Sequence, residues 1–232
     1  QTRFLDPHGN HEIDYAVVKS SERLNRLNVR SFADADASVI VKLCAGAKVQ
    51  VSSRTEDWAS VYIGGPGDST NYFGVVQLEY LAFGEEAENV ESGCARVRLT
   101  KDVFGGNQGR EYRASWDGEK LPAGTEMTVV GVETHWEFDA EYPDRFVCML
   151  DDGRLIVIWN DGGVLEPMET FGITAKAASN VRMREKPTTE AAALRTLSKG
   201  TKVEVLLRGE IWTMVKYKEQ TGYVMSRYLQ FP

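Results

Sequence analysis

Three histidines and three cysteines are the residues of this 232-residue chain best suited to nucleophilic or metal chemistry. His8 and His11 sit in the polar stretch "DPHGNHEID", and His135 directly precedes Trp136. Cys44, Cys94 and Cys148 stand far apart and form no Cys-x-x-Cys pair, so the spacing of a structural zinc site is missing. They are also too few for a disulfide-stapled secreted scaffold. A nucleophilic cysteine needs surroundings that lower its pKa, such as a helix start. None of the three has that context in sequence, and all three read as small buried hydrophobes. Carboxylates of the acidic middle, such as Asp139 and Glu141, have the chemistry for hydrolysis, but such runs are more often solvated loops. There is no Gly-rich phosphate loop, calcium loop or metal-spaced histidine cluster. The expectation is a protein that is not an enzyme, with no catalytic residues, no metal and no cofactor.

Aromatic rings offer the other kind of chemistry, contact with a peptide or a sugar at low entropic cost. Trp58 and Trp212 follow charged residues ("TEDW", "GEIW"). Tyr62, Tyr72, Phe73 and Tyr80 come after the first, and Tyr217, Tyr223 and Tyr228 after the second. In small domains a share of such rings must form the core; about half are expected to line an outer groove. The residues expected to bind ligand are Trp212, Tyr217, Tyr223, Tyr228, Arg182, Trp58, Tyr62 and Tyr80. Arg182, with Asn28, Arg30 and Asn180, also reads as a turn-fixing or surface residue.

Charge bears on partners. Residues 1–84 carry 8 Lys/Arg against 10 Asp/Glu, a net of −2; residues 85–170 carry 8 against 19, a net of −11. Residues 171–232 carry 11 against 5, a net of +6. The basic last third is expected to dock on the acidic middle, or to attract an external polyanion through Arg182, Arg184, Lys186, Lys199, Lys202, Lys216 and Lys218. Nothing points to nucleic acid. No run approaches the ~20 apolar residues of a membrane span. The start at Gln1 suggests processing of the kind a removed signal peptide leaves.

The elements that must position these residues are written three times. "GAKVQVSSRTEDW" (Gly46–Trp58), "GTEMTVVGVETHW" (Gly124–Trp136) and "GTKVEVLLRGEIW" (Gly200–Trp212) each place a Trp twelve residues after a Gly. The first and third copies agree further: "LNVR" (27–30) with "SNVR" (179–182), "VIVKLCAG" with "ALRTLSKG", and "FGVVQLEYL" with "TGYVMSRYL". The first copy adds "GGPGDSTN" (64–71), a lengthened hairpin tip. The middle copy keeps "LPAGTEMTVV" and an Asp-Gly hairpin in "FVCMLDDGRLIVIW", with 100–120 as an expanded loop. Alternation of Val203, Val205 and Leu207 with Lys202, Glu204 and Leu206 is the period of a half-buried strand. Short strands between Gly, Asn, Asp and Pro turns, with no long amphipathic helix, predict an all-β protein.

These motifs resemble bacterial SH3 (SH3b) domains, in which Asn-Val-Arg opens the first strand and Gly-x-x-Val turns into the central one. Trp begins the next strand, and Gly-Tyr-Val-x-x-x-Tyr-Leu closes the barrel. The resemblance covers most of 14–84 and 171–232 and, through its Gly-to-Trp core and hairpin, extends to 85–170. It implies three tandem small SH3-like β-barrels: a barrel at 14–84, a divergent one at 85–170 and a third at 171–232. It further implies binding modules of bacterial envelope proteins, often attached to peptidases that they deliver to peptidoglycan. The leading expectation is therefore an exported, extracellular or cell-envelope, monomeric and non-catalytic protein that binds peptidoglycan, another cell-wall polymer or a peptide segment. The alternatives are a protein–protein interaction or scaffold module, and the targeting part of a cell-wall peptidase whose catalytic domain lies elsewhere. Proline-rich recognition is disfavoured, since Met225 and Gln77 occupy the closing-turn position where eukaryotic SH3 domains carry Pro. On this reading Trp212→Ala abolishes binding while the third barrel stays folded.

Overall fold

The computed structural model describes residues 4–5, 12–20, 22, 24–64, 72–104, 120–134, 144–160 and 163–232. His8, His11, His135, Trp136, Asp139 and Glu141, most of the 64–71 hairpin tip and most of the 100–120 loop lie outside them. The described residues are all-β: two large antiparallel sheets, one small two-stranded sheet, one short helix α1 (Glu85–Glu88) and two 3-10 turns (Leu78–Tyr80 and Ser226–Tyr228).

In the first unit the strands are β1 (Phe4–Leu5), β2 (Glu12–Val18), β3 (Arg26–Arg30), β4 (Val39–Cys44), β5 (Lys48–Arg54), β6 (Trp58–Ile63), β7 (Tyr72–Gln77) and β8 (Leu81–Ala82). The middle unit holds β9 (Ala95–Leu99), β10 (Val103–Phe104), β11 (Lys120–Leu121), β12 (Glu126–Glu133), β13 (Arg145–Met149), β14 (Leu155–Trp159) and β15 (Leu165–Pro167). Last come β16 (Thr174–Ala177), β17 (Val181–Arg184), β18 (Ala193–Leu197), β19 (Lys202–Leu207), β20 (Trp212–Tyr217), β21 (Gln220–Met225) and β22 (Leu229–Gln230).

The repeat is a structural one. The last unit runs in the order β18-β17-β21-β20-β19-β16-β22, and the first repeats it as β4-β3-β7-β6-β5-β2, with β8 on β2. Bulges recur at the same two places, between Val29 and Arg30 and between Val51 and Ser53 in the first unit. In the last they fall between Met183 and Arg184 and between Val205 and Leu207. A bulge bends a strand and sharpens its twist, which short strands need in order to curl around a small core.

The turn before the central strand shows why each copy spends a glycine. Gly46, Gly124 and Gly200 adopt φ of 84°, 87° and 83°, a region costly for any residue with a Cβ. Each donates its N–H to the end of a strand that pairs with the central one, β2, β9 or β16: Gly46 to Val18 O at 2.7 Å, Gly124 to Leu99 O at 2.8 Å and Gly200 to Ala177 O at 2.7 Å. The next residue's carbonyl returns a bond each time, to the N–H of Val18, Leu99 and Ala177. A second glycine marks a strand crossing. A Cβ on Gly74 would fall 2.7 Å from Arg30 O, and one on Gly222 2.7 Å from Arg184 O.

Two sequence expectations need correction. The Asn-Val-Arg match between the first and third copies is out of register by two residues. Leu27 pairs with Leu43 as Val181 pairs with Leu197, and Arg30 Nη1 donates to Ala37 O at 2.8 Å as Arg184 Nη1 donates to Ala191 O at 2.6 Å. The counterpart of Asn28–Arg30 is therefore Arg182–Arg184. A two-residue slip keeps every side chain on its own face, so alternation alone cannot reveal it.

The units are also not walled off from one another. The first half of β12 pairs with β9, and its second half pairs with β4 of the first unit through Gly131↔Leu43, Val132↔Lys42 and Glu133↔Val41. A bulge between Val129 and Gly131 separates the two halves. One sheet thus runs across 14–84 and 85–170, and it covers the otherwise open edge of β4. Apolar side chains follow suit: Val130, Val147, Leu155 and Val157 share a core with Val29, Val41, Leu43 and Val61.

The middle and last units do touch, as the charge split leads one to expect, but an apolar core joins them. Phe146, Cys148, Ile156 and Ile158 are buried together with Leu206, Leu207, Trp212, Met214 and Tyr223.

Candidate functional site

The first and last units meet across a polar cleft of about 480 Å³. One wall belongs to the first unit's own groove: Trp58 at the start of β6, Gln77 at the end of β7, Tyr80 closing the 3-10 turn, and Asn28 and Arg30 on β3. Trp58 is half-buried and Tyr80 is 40% exposed. The other wall carries Arg208 and Glu210 from the β19–β20 turn, with Arg26, Lys42 and Lys19 between.

The floor is an ion network. Glu210 Oε1 accepts from Arg26 Nη1 at 2.7 Å, and its Oε2 lies 2.5 Å from Lys42 Nζ. Arg26, whose side chain is 6% exposed, also donates Nη2 to Arg208 O. Arg208 in turn donates to Leu24 O and sits 4.2 Å over the Phe231 ring. Burial alone would raise the pKa of Glu210, but the charges of Arg26 and Lys42 outweigh it and hold the carboxyl below its ordinary range. At the rim Lys19 pairs with Glu86 at 2.7 Å, and Arg30 uses its guanidinium on a backbone carbonyl. Among the described residues five cations line the cleft, with Glu210 as the one lining carboxylate. The arrangement favours an anionic ligand that also has a flat or apolar part to lay on Trp58 and Tyr80.

The corresponding groove of the last unit is closed. Trp212 is 1% exposed, Tyr223 is 3% exposed, and Tyr228 is half-buried against the apolar core. The middle unit fills the place with Asp144. Its Oδ1 accepts the N–H of Glu210 at 2.6 Å and of Ile211 at 3.0 Å, and its Oδ2 that of Trp212 at 2.8 Å. A Cβ on Gly209 would fall 2.3 Å from Asp144 Oδ2, so glycine is what lets the carboxylate in. Burial pushes the Asp144 carboxyl above its ordinary value, opposed by these three donors and by Arg26. In the first unit the position of Gly209 is Thr55, whose hydroxyl accepts the Trp58 N–H at 3.1 Å and needs no outside acceptor.

Of the eight expected ligand contacts, the cleft gathers Trp58 and Tyr80. Trp212 and Tyr223 are core residues, and an exposed platform of Trp212, Tyr223 and Tyr228 does not exist in this fold. Tyr217 is half-buried with the Arg195 guanidinium 5.3 Å from its ring centre, away from the cleft. Arg182 is exposed on β17 and outside the cleft. Tyr62, 43% exposed, lies against Phe73 farther along the β6–β7 hairpin, with ring centres 4.7 Å apart and the planes tilted by 48°. Arg26, Lys42, Arg208, Glu210 and Asp144 had no signal in sequence, because each acts on a unit other than its own. Among the described residues no cluster of His, Cys, Asp and Glu is placed to hold a metal ion. No helix among them is long and apolar enough to cross a membrane.

Residues 179–230 match the bacterial SH3 domain family, the unit whose motifs stand closest to that pattern in sequence. Among curated proteins none matches the chain. Similar solved structures include NlpC2 from Trichomonas vaginalis, at 15% identity over 60% of this chain and 48% of that one, with a TM-score of 0.29. NlpC1 from the same organism stands at 13% identity over 60% and 46%, with a TM-score of 0.26. The chain spans about half the length of either, and likenesses this low carry no argument about fold or function.

Proposed function

We propose that this chain is an exported, monomeric, non-catalytic binding protein of three tandem SH3-like units, with limits near 14–84, 85–170 and 171–232. Its ligand is a bacterial cell-wall polymer or peptide, taken in the cleft between the first and last units. The bacterial SH3 match over 179–230 supports the class of ligand, since such domains are typical of cell-wall-associated proteins. The observation that carries the site is the open cleft itself, where Trp58 and Tyr80 stand beside an excess of cations while the equivalent Trp212 is sealed in a core. Rings supply sequence-tolerant contact area, and the cations attract the carboxylates of peptidoglycan stems or the phosphates of wall polymers.

Sedimentation with purified sacculi tests this reading. The intact chain is expected to pellet at low salt and to be partly released as salt screens the cations. Trp58→Ala combined with Tyr80→Ala should leave the protein folded and in the supernatant. Failure of the intact chain to pellet with sacculi of several wall chemistries would remove the proposal. Undiminished pelleting of the double variant would move the site elsewhere.

A further inference from the structure

Two of the three cysteines, distant in sequence, end up side by side beneath the cleft. Cys44 closes β4, and the segment 91–94 that leads into β9 lies against the turn that follows it. Gly93 donates its N–H to Ala45 O at 2.9 Å, and the Cys94 thiol reaches the same carbonyl at 3.4 Å. Contact between the two stretches is so close that a Cβ on Gly46 would fall 2.7 Å from Ser92 Oγ. The Cys94 N–H is fixed on Ser92 Oγ at 3.1 Å. Cys44 is 5% exposed and Cys94 half-buried, with Arg26 and Arg208 on the inner side of Cys44.

We propose that Cys44 and Cys94 are a thiol pair that oxidises to a disulfide, tying the last residue of β4 to the entry of the middle unit.

With its sulfur on the carbonyl of Ala45, the residue after Cys44, the Cys94 thiol lies next to Cys44, and this neighbouring thiol, with the charges of Arg26 and Arg208, draws Cys44 toward the thiolate against the cost of its burial. The neighbouring Cys44 and burial push Cys94 up, so Cys94 is the protonated partner of the two. The low-pKa surroundings that the sequence did not show for any cysteine are thus supplied to Cys44 by the Cys94 thiol and by arginines from two different units. Cys148, fully buried and pushed up by desolvation, has no part in the pair.

The co-reactant is a small-molecule disulfide such as oxidised glutathione. The more exposed Cys94 passes its proton to the Cys44 thiolate as it attacks one sulfur of that disulfide, and Cys44 hands the proton on to the thiolate that leaves. The S–S bond of the reagent breaks, one reduced thiol leaves with a proton, and a mixed disulfide remains on Cys94. Cys44 thiolate then attacks the Cys94 sulfur, and the second reagent thiolate departs and is protonated. Two protein thiols are oxidised by two electrons, and one reagent disulfide is reduced to two thiols. The bond closes the loop from 44 to 94 and limits the unfolded chain across the junction of the first two units.

The test uses the intact chain, incubated with excess oxidised glutathione, then denatured and labelled with a maleimide. One of the three cysteines, Cys148, should take label, with the mass lowered by two hydrogens and no glutathione retained. A peptide map should join the fragments carrying Cys44 and Cys94. The melting temperature should rise by about 5–10 °C on oxidation and fall back with dithiothreitol. Cys94→Ser should show neither the mass loss nor the rise. Three labelled cysteines in the wild type, a bridge to Cys148, or a lasting glutathione adduct on Cys94 would each overturn the proposal, and none of these readouts depends on cell-wall binding.

Discussion

Trp58 and Trp212 occupy the same place in two copies of one strand order, each beginning the strand after the same bulge, and they meet opposite fates. Trp58 is half-buried on the wall of an open cleft; Trp212 is 1% exposed inside a core shared with the middle unit. The backbone does not make the difference, since the 3-10 turn that follows each groove is held by the same bond, Leu78 N to Asp57 O and Ser226 N to Ile211 O, both at 2.8 Å. What differs is the neighbour. Gly209 leaves room for Asp144 to collect three N–H groups, and Thr55 satisfies its own turn. The groove that stands open in the first copy is, in the last, the socket for the middle unit. The unit that matches the bacterial SH3 family is thus the one whose groove is filled.

Substitutions can break this contrast, and Trp212→Ala should act most strongly. It empties a large volume from a core shared by two units, at a cost of about 3–5 kcal/mol in urea denaturation, and undocks the last unit. A stable, fully docked Trp212→Ala variant would place the ring back in a groove. Asp144→Ala comes next. It strands three buried N–H donors at the docking turn, worth about 2–4 kcal/mol, and should widen the particle in small-angle scattering. Asp144→Asn, which keeps an acceptor, should cost less.

The pH dependence separates the two carboxylates of the docking region. The folded pKa of Glu210 is depressed by Arg26 and Lys42, so its stabilisation is present above its unfolded value and lost as pH falls through the folded one. Asp144 has the opposite sign: its folded pKa is raised, so the contribution it makes by titrating is largest at low pH and is lost as pH rises through that value. Lowering the pH from 5 toward 3 should cost the wild type about 1 kcal/mol more than Glu210→Gln, read from urea midpoints. Equal acid sensitivity in both would show that Glu210 does not lock the cleft floor.

The smallest effect on stability belongs to Trp58→Ala, below about 1 kcal/mol because the ring is half in water. Its effect on binding should be tenfold or more if the ring is an anchor. The Trp58 and Trp212 variants thus form a crossed pair, one losing binding and the other losing structure.

Much of the fold is legible because it is local. A glycine at φ near 85° before each central strand, Val alternation at period two, and the Gly-to-Trp spacing all report on backbone that a single unit folds for itself. The two-residue slip at Asn-Val-Arg marks where that legibility ends, since a shift of two preserves the alternation and only pairing partners fix the register. Exposure is less legible still. "TEDW" and "GEIW" differ at Thr55 and Gly209, and what that difference means shows only once Asp144 is seen in the space beside Gly209.

By itself the sequence determined the all-β class, the recurring turn and strand plan, and the set of aromatic and basic residues from which a site is made. Each of these depends on residues a few positions apart, where steric and hydrogen-bonding preferences act directly. Tertiary structure alone decided that β4 and β12 share a sheet, that Asp144 fills one groove, that Arg26 and Lys42 meet Glu210 over more than 160 positions, and that Cys94 lies against the turn after Cys44. Those outcomes depend on which surfaces of folded units are buried against each other, and the energy of that choice resides in contacts between residues that the chain order keeps far apart.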